Sequence, residues 1–274
     1  MILTAEMGNR TFSVETDEAI DISIPLNFGG PQPNAYGVEA ARSVACRAGE
    51  IVGDTREGGS CNFEQVTLIP HCSGTHTECV GHITNERISV NDCLRDPFLP
   101  SLLITVEPDV AETSDEGYPS GTDPQDQLIT ASSIRNAMLR QNAEPAETPA
   151  GLIVRTLPND DGKLSRTYLD DIPPYFTTDA MEYIVELGVR HLLVDLPSID
   201  RLFDQGNLSN HRIFWNVEAG SFELNMKSRR HSTVTELIFV PETVEDGEYL
   251  LNLQIAPFSA DAAPSRPLLL RPAQ

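Results

Sequence analysis

The chain has 274 residues, 40% of them hydrophobic, and its 41 acidic against 19 basic residues give a formal net charge of −22. That length is enough to bury a substantial core, and the composition is that of a globular protein. The negative field disfavours nucleic acid and anionic membrane surfaces as partners, and no apolar run reaches bilayer-spanning length.

The first dozen residues lack the basic start and apolar stretch of a secretory signal, so a cytoplasmic location is expected. The five cysteines are Cys46, Cys61, Cys72, Cys79 and Cys93. An odd count with no CxxC pair argues against a disulfide framework and a structural zinc finger. Cys46 and Cys93 are expected to be buried free thiols.

Short apolar or β-branched runs recur along the chain at residues 19–26 (AIDISIPL), 65–70 (QVTLIP), 102–106 (LLITV), 151–156 (GLIVRT), 191–196 (HLLVDL), 236–241 (ELIFVP) and 250–258 (LLNLQIAPF). Their lengths and neighbouring Pro and Gly residues predict strands. LLITV and GLIVRT are apolar throughout, as strands covered on both faces should be. Thr130 is placed to cap a helix over ASSIRNAMLRQ, and Thr177 or Thr178 to cap one over DAMEYIVELG that stops at Gly188. A third short helix is expected after Pro197. Residues 108–127 are polar, acidic and rich in Pro and Gly, and read as a long surface loop. No boundary divides the chain, so residues 1–274 are taken as one domain of α/β or α+β type.

The segment PHCSGTHTECVGH, residues 70–82, holds three of the six histidines, two cysteines and a glutamate. These side chains bind transition metals and move protons near neutral pH. If the segment is extended, Cys72, His76, Glu78 and His82 share one face and His71 points away. The Gly74-Thr75 pair permits a tight bend. Cys72 or Cys79 beside His76 reads equally as nucleophile, ligand or bystander. Elsewhere, His191 opens an apolar strand and reads as structural, His211 lies in a polar loop entering an apolar run, and His231 reads as exposed. Glu236 opens a predicted strand that would hold it rigidly. There is no GxSxG elbow and no phosphate loop.

On these residues the chain resembles the metal-dependent cyclase family, which includes bacterial kynurenine formamidases and to which isatin hydrolase is similar. The family pattern HxGTHxDxPxH aligns with Gly74-Thr75-His76, Glu78 and His82. HLLVDLPSID, with Asp195, Ser198 and Asp200, resembles the family's strand-and-turn segment. His211 and Glu236 match its distant His and Glu. Three positions depart from the pattern. Cys72 stands where the family has its first His, with His71 one place earlier. Glu78 replaces Asp, and Val80-Gly81 replaces the segment carrying Pro. The stretch between His211 and Glu236 is also longer than in the formamidases.

The resemblance implies a swivelling β/β/α fold, a mostly β core flanked by a few helices, assembled as a homodimer or larger. It implies one or two zinc or manganese ions. His76 and Glu78, with Cys72 or His71, would hold the first; Glu78, His211 and Glu236 would hold a second, with Glu78 bridging. His82 would relay a proton. The activity implied is hydrolysis of a small-molecule amide, with N-formylkynurenine of tryptophan catabolism as the candidate. The alternatives are a cyclic amide, lactam or lactone substrate, and a metal- or ligand-binding protein without catalysis. Trp215 and Phe28 are expected to pack in the core or to flank an aryl substrate.

Overall fold

The computed structural model describes residues 1–7, 10–141, 150–169 and 172–273. Its centre is a nine-stranded mixed sheet. The strands in chain order are β1 (Ile20–Asp21), β2 (His76–Cys79), β3 (Phe98–Val106), β4 (Gly151–Thr156), β5 (His191–Val194), β6 (Thr233–Glu236), β7 (Gly247–Asn252), β8 (Ala262–Pro264) and β9 (Leu268–Leu270). Their spatial order is β8-β2-β6-β5-β4-β3-β7-β9-β1. The four central strands β3 to β6 run parallel, and every other pairing is antiparallel.

Parallel neighbours need crossovers, and each of the three is helical. These helices are α1 (Ala131–Arg140), α2 (Thr178–Glu186) and α3 (Ser209–Trp215). The expected caps are in place. Thr130 accepts from the Ser133 amide in a reciprocal capping box, and Thr177 accepts from the Ala180 amide. All three helices lie on one face of the sheet. Leu102, Ile104, Leu152, Val154, Leu192 and Val194 join Ile134, Met181 and Trp215 in one core there. The alternate residues Leu99, Leu103, Ile153 and Leu193 point the other way, into a second core with Ile238, Val240 and Leu251. Two buried faces explain the apolar runs Leu102–Ile104 and Leu152–Val154, although the same strands also carry Ser101, Thr105, Arg155 and Thr156. Truncating Leu152 or Leu192 to Ala would cost about 2–5 kcal/mol.

The mixed sheet with few helices agrees with the expected α/β class. Several local expectations are corrected. The strand over residues 19–26 pairs only at Ile20–Asp21, with one further bridge from Ser23 to Ile238. Residues 64–67 form an exposed hairpin with residues 42–45 rather than a core strand. No helix follows Pro197 directly; a loop intervenes and the helix begins at Ser209. Glu236 ends its strand instead of opening it, because Leu237 turns to φ 55°. The acidic loop is partly structured: residues 109–110 pair with residues 127–128, and Tyr118 is buried. Cys93 is buried as expected, whereas Cys46 is partly exposed. Among the described residues no helix is long and apolar enough to cross a membrane.

Candidate metal centre

The sheet brings the site together at one edge of its parallel centre. Glu236, the last residue of β6, is the register partner of His76, the first of β2. Ala262 of β8 pairs with Glu78, which sets Asp261 beside β2, where its carbonyl accepts from the Cys79 amide. His211 enters from α3, after the loop that leaves the C-terminal end of β5. Ligand sites in sheets of this kind collect at that end of parallel strands.

The approach to β2 is fixed by Thr75, whose hydroxyl accepts from the Ile24 amide and donates to the Leu237 carbonyl. Gly74 is not a tight bend: its backbone is fully extended, and a side chain there would press on Leu26. Gly81 is required by close approach, because a Cβ would fall 2.2 Å from the Ile88 carbonyl oxygen.

The segment is not extended throughout. Pro70–Ser73 forms a helical turn and Val80–Ile83 a 3-10 turn on either side of β2. The single-face reading therefore fails at both ends, and His71 turns inward. Its Nδ1 lies 3.0 Å from Glu78 Oε2 and its Nε2 lies 2.9 Å from Asp261 Oδ2. The ligand atoms of His71, His76 and Glu78 lie within 4.8 Å of one another, as do those of Glu78, His82 and His211, and those of His71, His82 and Asp261. Cys72 lines the same cavity but belongs to none of these groups. Burial, then the Glu236 carboxylate, pushes its thiol up to about 11, away from a ready thiolate.

Hydrogen bonds aim the imidazoles. His76 Nδ1 donates to the Gly74 carbonyl at 3.0 Å, leaving Nε2 to face the site, 3.4 Å from Glu236 Oε2. His211 Nδ1 donates to Asp200 Oδ2 at 2.5 Å, and its Nε2 lies 2.8 Å from Glu78 Oε1 and 3.7 Å from Glu236 Oε1. A carboxylate behind a histidine in this way is the arrangement that orients metal-ligating imidazoles. Asp200 is itself held by the Tyr118 hydroxyl at 2.7 Å and the Asn210 amide. Glu236 Oε1 accepts from the Ile199 amide at 2.9 Å. His82 is half-buried, with Nδ1 3.4 Å from Asp261 and Nε2 3.9 Å from Glu78.

Glu78 and Glu236 are 0% and 3% exposed, and among the described residues their ion-pair partners are all histidines. Burial opposes ionisation of Glu78, but the charges of His82 and His211 hold it well below the usual carboxylate range. Burial likewise opposes charge on His211, yet Glu78 and Asp200 raise it well above the usual imidazole value. His71 behaves in the same way: burial pulls it down, and Asp261 and Glu78 bring it up to about 10. Hydrogen bonds from His71 and then His82 lower Asp261. Two buried carboxylates therefore demand positive charge at this point. His76 Nε2 and Glu78 Oε2 are buried polar atoms with no aligned hydrogen-bond partner among the described residues. Mixed imidazole and carboxylate donors around two such atoms fit a transition metal ion.

The centre opens into a cavity of about 770 Å³, lined also by Tyr36, Ser198, Arg201, Phe203 and Leu208. The aromatic walls are Tyr36 and Phe203, packed edge to face at 6.0 Å. Trp215 is buried, donates to the Ser232 carbonyl and backs His211 at 5.3 Å, while Phe28 lies on a separate surface groove. His191 is buried on Thr233, and His231 is exposed, as the sequence indicates. Sequence reasoning missed Asp261, Tyr118, Tyr36 and Phe203. Only Asp200, inside the segment HLLVDLPSID, carried a signal.

Fold and donor set together define a protein with a mixed sheet and a histidine–carboxylate cluster that could hold a metal ion. The family model described as "Putative cyclase" matches residues 20–201, and the chain belongs to that family. The match takes in His71, His76, Glu78, His82 and Asp200, while the fold supplies His211, Glu236 and Asp261 from beyond it. Kynurenine formamidase of Bacillus thuringiensis (strain Al Hakam) is 26% identical over 263 residues, covering 93% of this chain and 99% of that protein. The kynurenine formamidase of Bacillus anthracis has the same identity and coverage. Among solved structures, isatin hydrolase A from Ralstonia solanacearum superposes with a TM-score of 0.62 at 14% identity, over 92% of this chain and 91% of that one. An isatin hydrolase bound to the product analogue thioisatinate gives 0.59 at 17% identity, over 93% of both chains.

Proposed function

We propose that this chain is a metal-dependent hydrolase of a non-peptide amide, with N-formylkynurenine, cleaved to kynurenine and formate, as its substrate. The observation that carries the reading is the pair of buried carboxylates, Glu78 and Glu236, whose ion-pair partners among the described residues are all imidazoles, at the floor of an open cavity. The 26% identity to kynurenine formamidases over nearly the whole chain supports the substrate.

His71, His76 and Glu78 would hold one ion, and Glu78, His211 and Glu236 a second. We assign the contested first place to His71 over Cys72, because His71 converges with His76 and Glu78. A zinc or manganese ion bound there supplies Lewis acidity, which brings the pKa of a water towards about 7 and polarises a carbonyl. His82 lies at the wet side of the centre and lines the cavity. It takes the proton of the attacking water at one ring nitrogen and returns it to the departing nitrogen. Asp261, against its Nδ1, holds the ring for that transfer. Tyr36 and Phe203 present ring faces and edges suited to an aryl group.

The test is metal content together with hydrolysis of N-formylkynurenine by the wild type and His82→Ala. Wild type is expected to hold metal and to lose turnover to a chelator, and the variant to keep metal and lose turnover. Metal-loaded wild type that opens cyclic amides but no formyl-anilide would move the substrate to a lactam. Bound metal without turnover on any carbonyl substrate would end the hydrolase reading. The expected homodimer or larger assembly belongs to the same proposal and is checked by light scattering.

A further inference from the structure

A second cavity, of about 810 Å³, lies between α2 and α3, away from the metal centre. Its walls come from α2 (Glu182, Val185, Glu186), from α3 (Arg212, Ile213) and from the stretch 216–229, which includes Lys227 and Arg229. The size is that of a small-molecule site. Part of it is built by the segment between His211 and Glu236.

In a chain of net charge −22, three cations meet in this cavity. None of the three has a carboxylate within ion-pair distance among the described residues, where the other buried cations, Arg155 and Lys163, each hold an aspartate. Arg212 is 7% exposed. Its Nε donates to the Asn207 carbonyl and its Nη1 to the carbonyls of Glu218 and Ser221, and its Nη2 has no protein partner among the described residues. Arg229 donates to the carbonyls of Phe214 and Val189, and burial alone lowers its pKa to about 10. Carbonyls orient a guanidinium without neutralising it, so an anion in the cavity would gain a charge-assisted partner. Opposite, Glu182 and Glu186 stand exposed one helical turn apart on α2. Val185, Ile213 and Val217 supply apolar surface in the same cavity.

We propose that this cavity is a second binding site, for a free α-amino acid with an apolar side chain. Its carboxylate sits on Arg212 with support from Lys227, its ammonium faces Glu182 and Glu186, and its side chain lies on Val185, Ile213 and Val217. A plain anion would leave the glutamates opposed to it, and a plain cation would leave the arginines opposed to it; a zwitterion satisfies both. Arg212 follows His211 on the same helix, so occupancy bears on the element that delivers a candidate ligand to the metal centre.

The test is calorimetric titration of the chelator-treated full-length protein with L-phenylalanine and L-leucine. 3-Phenylpropionate and phenethylamine serve as the ligands with one charge removed. The amino acids are expected to bind one per chain, and each single-charge analogue at least about ten-fold more weakly. Arg212→Gln should abolish binding, but Arg212 also pins the 218–221 backbone. Lys227→Ala and Glu182→Gln, both at exposed positions, should weaken binding several-fold without that complication. No heat with either amino acid overturns the proposal. So does equal binding of either analogue, binding that appears only with metal present, or binding unchanged in Lys227→Ala and Glu182→Gln. None of these outcomes bears on N-formylkynurenine hydrolysis, which is measured separately.

Discussion

The candidate metal centre has two halves that share Glu78 and differ in their exposure to water. On one side, His211, Asp200 and Glu236 are 2%, 2% and 3% exposed, and backbone amides and Tyr118 hold their carboxylates. On the other, the side chains of His71, His82 and Asp261 are 24%, 26% and 23% exposed and face the cavity mouth or its edge. Both halves use the same two residue chemistries. Burial separates their tasks. Charge held away from water stays where it is put, and makes a rigid anchor for a cation. Imidazole in contact with water can exchange protons with substrate and solvent.

The largest expected effect comes from the residue the halves share. Glu78→Gln removes the buried negative charge, and metal content and turnover should both fall, activity by more than the roughly 100-fold typical of losing an outer partner. Elemental analysis beside the rate decides it; a variant with full metal would show that the charge of Glu78 is not what holds the ion. His82→Ala acts on the wet half alone. Its kcat should drop by about 10²–10⁴ with metal retained, and a variant that loses metal as well would erase the division of tasks. Asp200→Asn acts on the dry half from behind. Weaker orientation of His211 should cost about 10–100-fold in metal affinity, read by titration with a competing chelator. The choice between neighbouring residues follows the same logic. His71→Asn should weaken metal binding measurably, whereas Cys72→Ser, outside the converging donors, should leave it within a few-fold.

Legibility in the sequence followed how local each residue's contacts are, not the division into dry and wet halves. His71, His76, Glu78 and His82 sit in a dozen residues, and their chemistry can be read without knowing the fold. The choice between His71 and Cys72 was not readable, because it depends on a helical turn at Pro70 that replaces the assumed extended chain. Asp261 lies 190 residues from His71 and arrives by pairing of β8 with β2, an edge contact that leaves no local pattern. Tyr118 comes from an acidic loop whose composition suggested solvent, yet its ring is drawn inside, where its hydroxyl donates to Asp200 and Asp204. Glu236 was placed on the right segment but at the wrong end of its strand, since nothing in the sequence marks the positive φ of Leu237. The parallel centre was readable, because consecutive apolar residues such as Leu102–Ile104 and Leu152–Val154 need both faces of the sheet covered.

His191 shows what burial does to an imidazole faced by a single, half-exposed carboxylate at long range, and so isolates half of the argument about His211. It is 1% exposed, its Nδ1 meets the Thr233 hydroxyl at 2.9 Å, and the nearest acid, Asp96, is 3.8 Å from its Nε2. Burial first, and then the Arg190 charge, lower its pKa from 6.5 to about 4. A folded-state value below the unfolded one means that the unfolded chain binds the extra proton. The stability held above pH 6.5 is therefore lost as the pH falls towards 4. At pH 5.5 this one group should have removed about 1.4 kcal/mol, a tenfold change in the folding equilibrium. His191→Gln cannot take up that proton, so its stability should fall less between pH 7 and pH 5.5 than that of the wild type, by about the same amount. Urea unfolding at the two pH values measures the difference. His211, equally buried but faced by Glu78 and Asp200, is shifted in the opposite direction. A flat difference between wild type and His191→Gln would mean that burial alone does not set the charge of an imidazole in this fold. The raised value of His211 could then no longer be read as the work of its two carboxylates against burial.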